Sequence, residues 1–229
     1  MTSNSSDIWV CLPAYNEATV LEEVFTELRS EGFNNVCVID DGSSDGTGEL
    51  ARRLGAVVAT HPINRGAGAA VMTGIQLARQ RQWQHLAFID ADGQHVVRDL
   101  HKLRELMQEQ QCDLVVGSRF LDPSLCIPRS RRFFNGIANT MTNMFARGSY
   151  TDSQSGMRLL NRNAIVAINL DIDGFGFCSE MLMKAESKQL AVGETAISVR
   201  YTDYSVSKGQ DLQIGFTTAL NFLWNIVFR

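Results

Sequence analysis

The stretch Leu86-Ala87-Phe88-Ile89-Asp90-Ala91-Asp92-Gly93-Gln94-His95 decides how the rest of the chain is read. Four consecutive apolar residues suit a short strand buried on both faces, and two aspartates follow at once. An unpaired carboxylate is costly to bury, so a strand ending this way implies a cation, a set of donors or an open cleft. Carboxylates at i and i+2 of an extended segment point to opposite sides. They converge, together with Gln94, only if the chain turns after the strand. Hard oxygen donors of this kind suit Mg²⁺ or Mn²⁺ bound partly through substrate phosphates. A solvated turn whose aspartates cap the next helix is the competing reading.

Upstream, Val36 to Ile39 runs in the same way into Asp40-Asp41-Gly42-Ser43-Ser44-Asp45-Gly46-Thr47. Acidic residues accept hydrogen bonds from a ribose or a base, and glycines let the backbone turn close to a ligand. Ser44 or Asp45 as a plain helix cap is the alternative. Ile8 to Leu12 reads as the first strand, ending in Pro13-Ala14-Tyr15-Asn16-Glu17. A helix follows, with Leu21, Val24, Phe25 and Leu28 on one face. After a third strand at Ala56 to Thr60, Asn64-Arg65-Gly66-Ala67-Gly68 opens a small-residue helix running to about Gln80. Its free backbone donors and Arg65 can face an anion, although close packing of the helix on a sheet explains the small residues equally well.

Downstream, Val97, Leu100, Leu103 and Met107 share a helical face, and Leu114 to Val116 is another strand. Arg129 to Gly148 reads as a helix with Phe133, Ile137, Met141 and Phe145 on one side. Shorter helices are expected at Arg162 to Ile168 and Ser179 to Lys188, with an edge or antiparallel strand at Val192 to Val199. This alternation predicts an α/β fold, a mostly parallel central sheet flanked by helices, with ligands at the C-terminal ends of the strands.

With 229 residues and no linker or repeat, one domain over 1–229 is expected. The segment 214–229 is apolar, but Thr217, Thr218, Asn221 and Asn225 interrupt it. Such a helix closes the core, lies on a membrane surface or contacts another copy in an oligomer. A net charge of -4 gives no general attraction for nucleic acid. The five cysteines, Cys11, Cys37, Cys112, Cys126 and Cys178, form no CxxC pair, which suits a reducing compartment and a cytoplasmic location. The sequence has no run of eighteen apolar residues and no signal-peptide pattern.

In this order, the Pro13–Glu17, Asp40–Thr47, Asn64–Gly68 and Asp90–His95 motifs and Asp152-Ser153-Gln154-Ser155-Gly156-Met157-Arg158 resemble family 2 glycosyltransferases of the GT-A fold. Within that family they are most similar to dolichyl-phosphate mannose and glucose synthases and bacterial polyprenyl-phosphate sugar transferases. The resemblance implies a Rossmann-like nucleotide-binding half. It also implies inverting, metal-dependent transfer from a UDP- or GDP-linked sugar to a polyprenyl or dolichyl phosphate at the cytoplasmic face of a membrane. Pro13, Tyr15, Glu17 and Asp41 would line the nucleotide pocket, together with Arg65 and Gly68. Asp90 would face the sugar or the metal, with Asp92 and Gln94 as metal ligands. Arg158, Arg200 and Lys208 would contact phosphate, although Tyr201-Thr202-Asp203-Tyr204 is less basic than the family's approach to its serine-lysine pair.

A lipid monophosphate, with a second pKa of about 6, is already an anionic nucleophile and needs no base. A hydroxyl acceptor on a soluble sugar, glycan or small metabolite needs one. Glu180, after the loop Asp171 to Phe177, is the candidate. Asp152 competes for that role or else holds Arg158. Arg129, Arg131 and Arg132 ahead of an apolar helix suit anionic headgroups or a solvated helix start. A non-catalytic nucleotide-sugar-binding protein is the remaining alternative.

Overall fold

Strand β1 (Ile8–Ala14) pairs in parallel with β2 (Asn35–Asp40) on one side and β4 (His85–Phe88) on the other, and β3 (Val57–Thr60) extends the sheet beyond β2. The computed structural model describes residues 7–122, 127, 129–174 and 176–200. Among them, the sheet has seven strands in the order β3-β2-β1-β4-β6-β5-β7, with β5 at Leu114–Ser118, β6 at Arg158–Asn161 and β7 at Val192–Ala196. The first four strands form the all-parallel, Rossmann-like half that the alternating pattern predicts. The expected segments 201–208 and 214–229, with Lys208 and the apolar tail, lie outside the described residues, as does Cys126.

Helices cover both faces. On α1 (Ala18–Ser30), Leu21, Val24, Phe25 and Leu28 are buried, each contributing about 1.5–3 kcal/mol by leaving water. They pack with α4 (Asp99–Gln110) over one face; α3 (Ala67–Gln80) and α7 (Phe177–Ser187) cover the other. The small residues of α3 have a packing reason: a Cβ on Gly74 would lie 2.7 Å from Cys11 Sγ on β1. Helix α2 (Thr47–Arg53) lies beside β3, and α6 (Arg162–Ala167) follows β6. Helix α5 (Arg129–Phe145) is fastened by polar side chains. Asn139 accepts from the Ser153 amide, Asn143 pairs with the Tyr150 backbone, and Thr142 reaches Ser179.

The sequence pattern missed one element that matters. Arg158 to Asn161 is a strand, inserted antiparallel between β4 and β5, with Phe88 and Val116 both opposite Arg158. Because β6 runs backwards, the residues that precede it emerge beside the residues that follow β4. Gly156 therefore meets Asp90. At the edge, β7 is parallel to β5, and the chain continues into an isolated antiparallel bridge between Val199 and His95.

Candidate active site

The turn after β4 seats Asp92 against Gln94 and Asp90 against His95. Gly93 has a φ of 73°, a conformation that favours glycine. Asp92 folds back on the turn, accepting from the Gln94 amide at 3.0 Å and from Gln94 Nε2 at 2.5 Å. The Asp90 side chain is 55% exposed and takes a 3.0 Å contact from His95 Nε2. Gly156 lies so close that a Cβ there would stand 2.5 Å from both Asp90 carboxylate oxygens.

Electrostatics separates the two carboxylates. Loss of solvent works to raise the Asp90 pKa, but the His95 hydrogen bond and the charges of His95, Arg119 and Arg158 hold it below the usual range. Asp92 is raised, first by loss of solvent and then by the charge of Asp90. Burial works to lower the His95 pKa, yet its bond to Asp90 and the charges of both aspartates raise it and favour the imidazolium. Its Nδ1 is buried and has no hydrogen-bond partner among the described residues.

This donor set fits a divalent cation in part. Two repelling carboxylates and an amide oxygen are hard ligands, and a cation beside them relieves the repulsion that raises Asp92. Among the described residues no group of three or more His, Cys, Asp or Glu side chains could hold a metal by itself. The residues therefore suit an ion that takes its remaining ligands from a bound diphosphate.

The residues expected to line a nucleotide pocket lie around β1 and β2. Pro13 is half-buried near the end of β1, Tyr15 is 47% exposed just beyond it, and Glu17 begins α1, its amide donating to Thr47 Oγ1. Asp41, expected in the pocket lining, is engaged with the loop that precedes α3. It is buried, with Oδ1 accepting from the Arg65 amide at 2.9 Å and lying 2.6 Å from His61 Nδ1, while Oδ2 accepts from the Gly66 amide at 2.7 Å. These bonds staple the loop 61–66 in place.

The expected anion cradle at the start of α3 is also corrected. The Ala69 amide donates to the Asp173 carbonyl, and a Cβ on Gly68 would collide with the Ile172 carbonyl oxygen. The loop 171–174 thus fills the helix start. The Arg65 side chain reaches across to Asp173 at 3.2 Å, both groups being about half exposed. Gly68 is small because another loop packs on it.

Four further residues singled out in the sequence are engaged within the protein. Arg158 is wholly buried and donates to the carbonyls of Ser153, Ser155 and Cys178. It presents no surface to a phosphate and acts on Asp90 only through its charge. Asp152 grips Arg119 rather than Arg158, with Nε and an amino group at 2.6 and 2.7 Å. Glu180 is also spent within the fold: its oxygens accept from the Asp171 and Ile172 amides and pair with Lys184 at 2.9 Å. It holds the backbone at 171–172 and is paired with Lys184. The Arg200 guanidinium pairs with Glu27.

Arg119 is the residue that sequence reasoning passed over. It follows the apolar strand β5 as Asp90 follows β4, and a charge placed directly after a buried strand was the available signal. Glu194 on β7 holds the loop that carries its partner, accepting from the amides of Thr151 and Asp152.

The model of the family described as glycosyl transferase family 2 matches residues 9–168. The chain belongs to glycosyl transferase family 2. An uncharacterized protein of Methanocaldococcus jannaschii is 34% identical over 98% of this chain and 94% of its own length. The UDP-N-acetylglucosamine–dolichyl-phosphate N-acetylglucosaminyltransferase of Methanococcus voltae is 30% identical over 91% of this chain and 92% of its own. Glucosyl-3-phosphoglycerate synthase from Mycobacterium tuberculosis, solved with Mn²⁺ and UDP-glucose, superposes with a TM-score of 0.71 at 19% identity. That superposition covers 95% of this chain and 78% of that one, and it shows the GT-A fold. This family 2 member is a glycosyltransferase that uses a nucleotide-diphosphate sugar. Its acidic β4 turn lies at the C-terminal end of the parallel strands, where open α/β sheets bind ligands.

Proposed function

We propose that the protein transfers a sugar, with inversion, from a UDP- or GDP-linked donor to a polyprenyl or dolichyl phosphate. The observation that carries the donor half is the turn directly after β4, which holds Asp90, Asp92 and Gln94 within five residues and seats Asp92 against Gln94. The ion, Mg²⁺ or Mn²⁺, held by Asp92, Gln94 and the donor, would supply charge neutralisation for the departing diphosphate. Asp90, kept ionised by His95 and Arg119, would orient the sugar. Tyr15 and Pro13 would flank the nucleotide.

The Methanococcus voltae relative, a dolichyl-phosphate N-acetylglucosaminyltransferase, supports the acceptor. Helix α5 supports a site beside lipid. Phe133 and Met144 are 64% and 72% exposed on it, Ile137 lies between them, and the helix carries three arginines and no acidic residue. The protein would then work as a peripheral protein at the cytoplasmic face of a membrane. No helix among the described residues is long and apolar enough to cross one.

A second reading, transfer to a hydroxyl of a soluble sugar, glycan or small metabolite, is favoured by one observation. Arg158 and Arg200, the two described arginines expected to seat an acceptor phosphate, are both engaged within the protein. The deciding experiment follows product formation with a short polyprenyl phosphate and with the matching alcohol, after a nucleotide-sugar panel with Mn²⁺ has identified the donor. Exclusive use of the alcohol overturns the lipid-phosphate reading. Asp92→Asn is expected to abolish metal-supported release of nucleoside diphosphate, and unchanged release removes Asp92 from the site.

A further inference from the structure

The turn that carries Asp92 and Gln94 lies between β4 and α4, outside any regular strand ladder, and its outer side is held by two charged residues remote in sequence. Glu27 on α1 accepts from the Val97 amide through Oε1 at 3.1 Å. The same carboxylate receives both terminal nitrogens of Arg200, at 2.7 and 2.8 Å. The Arg200 backbone amide in turn donates to the Gln94 carbonyl at 2.8 Å, and Val199 bridges to His95. One step earlier, the Ser198 amide donates to Asp99 at the start of α4. The turn is thus enclosed between helix α1 and the segment that leaves β7.

We propose that Glu27 and Arg200 are positioning residues for the donor site, forming a clamp that fixes the Asp92–Gln94 turn through the Val97 amide and the Gln94 carbonyl. The proposal rests on the reading of that turn as the seat of the donor diphosphate and its cation. The two side chains hydrogen-bond to each other and to the Val97 amide, so they act through the loop rather than on substrate. A bidentate guanidinium–carboxylate pair fixes direction as well as distance, which is what a ligand-bearing turn without a ladder needs. Arg200 is 46% exposed and Glu27 21%, so solvent reaches the pair mainly from the arginine side and its contribution to global stability is modest. A purely structural role therefore predicts a modest fall in the unfolding midpoint with donor KM unmoved.

The test uses the full 229-residue chain with Glu27→Gln, Arg200→Ala and the double substitution. Donor and acceptor KM, kcat, the affinity for nucleoside diphosphate with Mn²⁺, the unfolding midpoint and amide exchange across 94–97 are measured. Each single change is expected to raise donor KM about five-fold or more, with acceptor KM unmoved and the midpoint within about 3 °C. The double should be no worse than the poorer single, because both break one device. Exchange at Val97 should quicken in every variant, and Arg200→Lys, which keeps one bond to Glu27, should fall between wild type and Arg200→Ala. Donor KM within two-fold of wild type in both singles, or effects that multiply in the double, overturns the clamp. If wild type neither binds nor uses any nucleotide sugar, the functional reading fails separately. Unchanged Val97 exchange would still overturn the clamp itself.

Discussion

Replacing Gly156 by alanine probes the geometry around Asp90 with a single methyl group. The added carbon would lie 2.5 Å from each carboxylate oxygen and 2.8 Å from Cγ of Asp90. Non-bonded heavy atoms settle at about 3.5–4.0 Å, so the carboxylate must retreat by about 1 Å. Residue 156 is outside the left-handed region, and alanine is allowed there by its backbone. The strain therefore falls on the Asp90 side chain, and the retreat pulls it off His95 Nε2, now 3.0 Å away. A misplacement of about 1 Å at a reacting centre costs on the order of 100-fold in rate. The assay is steady-state release of nucleoside diphosphate at saturating donor, with thermal unfolding run in parallel. Gly156→Ala should lose about 100-fold in kcat while its midpoint moves by only a few degrees. A variant that turns over within about three-fold of wild type would refute the claim that Asp90 must sit where Gly156 leaves room.

Arg158→Leu leaves three buried carbonyls without their donor, at about 1–3 kcal/mol each, so denaturant unfolding should show a loss of at least about 3 kcal/mol. Wild-type stability with a raised acceptor KM would restore Arg158 to phosphate contact. Glu180→Gln should keep kcat within about ten-fold of wild type, whereas losing a general base costs about 10²–10⁴-fold. A fall of the larger size, measured on a hydroxyl acceptor, returns Glu180 to that role. Glu186 contributes to acid sensitivity. Partial burial works to raise its pKa, but the amides of Arg147 and Gly148 and the Tyr150 hydroxyl lower it below the usual glutamate value. Its contribution to stability is complete above the unfolded-state pKa and fades as pH falls through the lower folded-state value. Glu186→Gln should therefore flatten the acid limb of a stability-against-pH curve, and an unchanged limb would rule Glu186 out as its source.

Much of the fold was legible because the strands are short apolar runs that end in polar turns. The alternation of such runs with helical faces is enough to specify parallel crossover units. The Asp90–Asp92 turn was legible for the same reason, since two carboxylates directly after a buried strand need an account. Strand β6 escaped because Arg158 interrupts its apolar pattern, and a buried arginine satisfied by three carbonyls looks, in sequence, like a charge waiting for a ligand. Asp41, Glu180 and Arg200 misled in the same way. Each is a charged residue near a motif, and each has its hydrogen-bonding capacity taken up by backbone amides or by a partner far along the chain.

The sequence by itself determined the family, the parallel half of the sheet and the acidic turn, since all three depend on local periodicity and on residues adjacent in the chain. Tertiary structure alone decided which charges meet. An antiparallel strand set between two others carries Gly156 to Asp90, the strand order places Asp152 against Arg119, and residue 200 returns to residue 27. Ion pairs and hydrogen bonds act over a few ångströms in space, whatever the separation along the chain, and no local pattern records who lies within that distance.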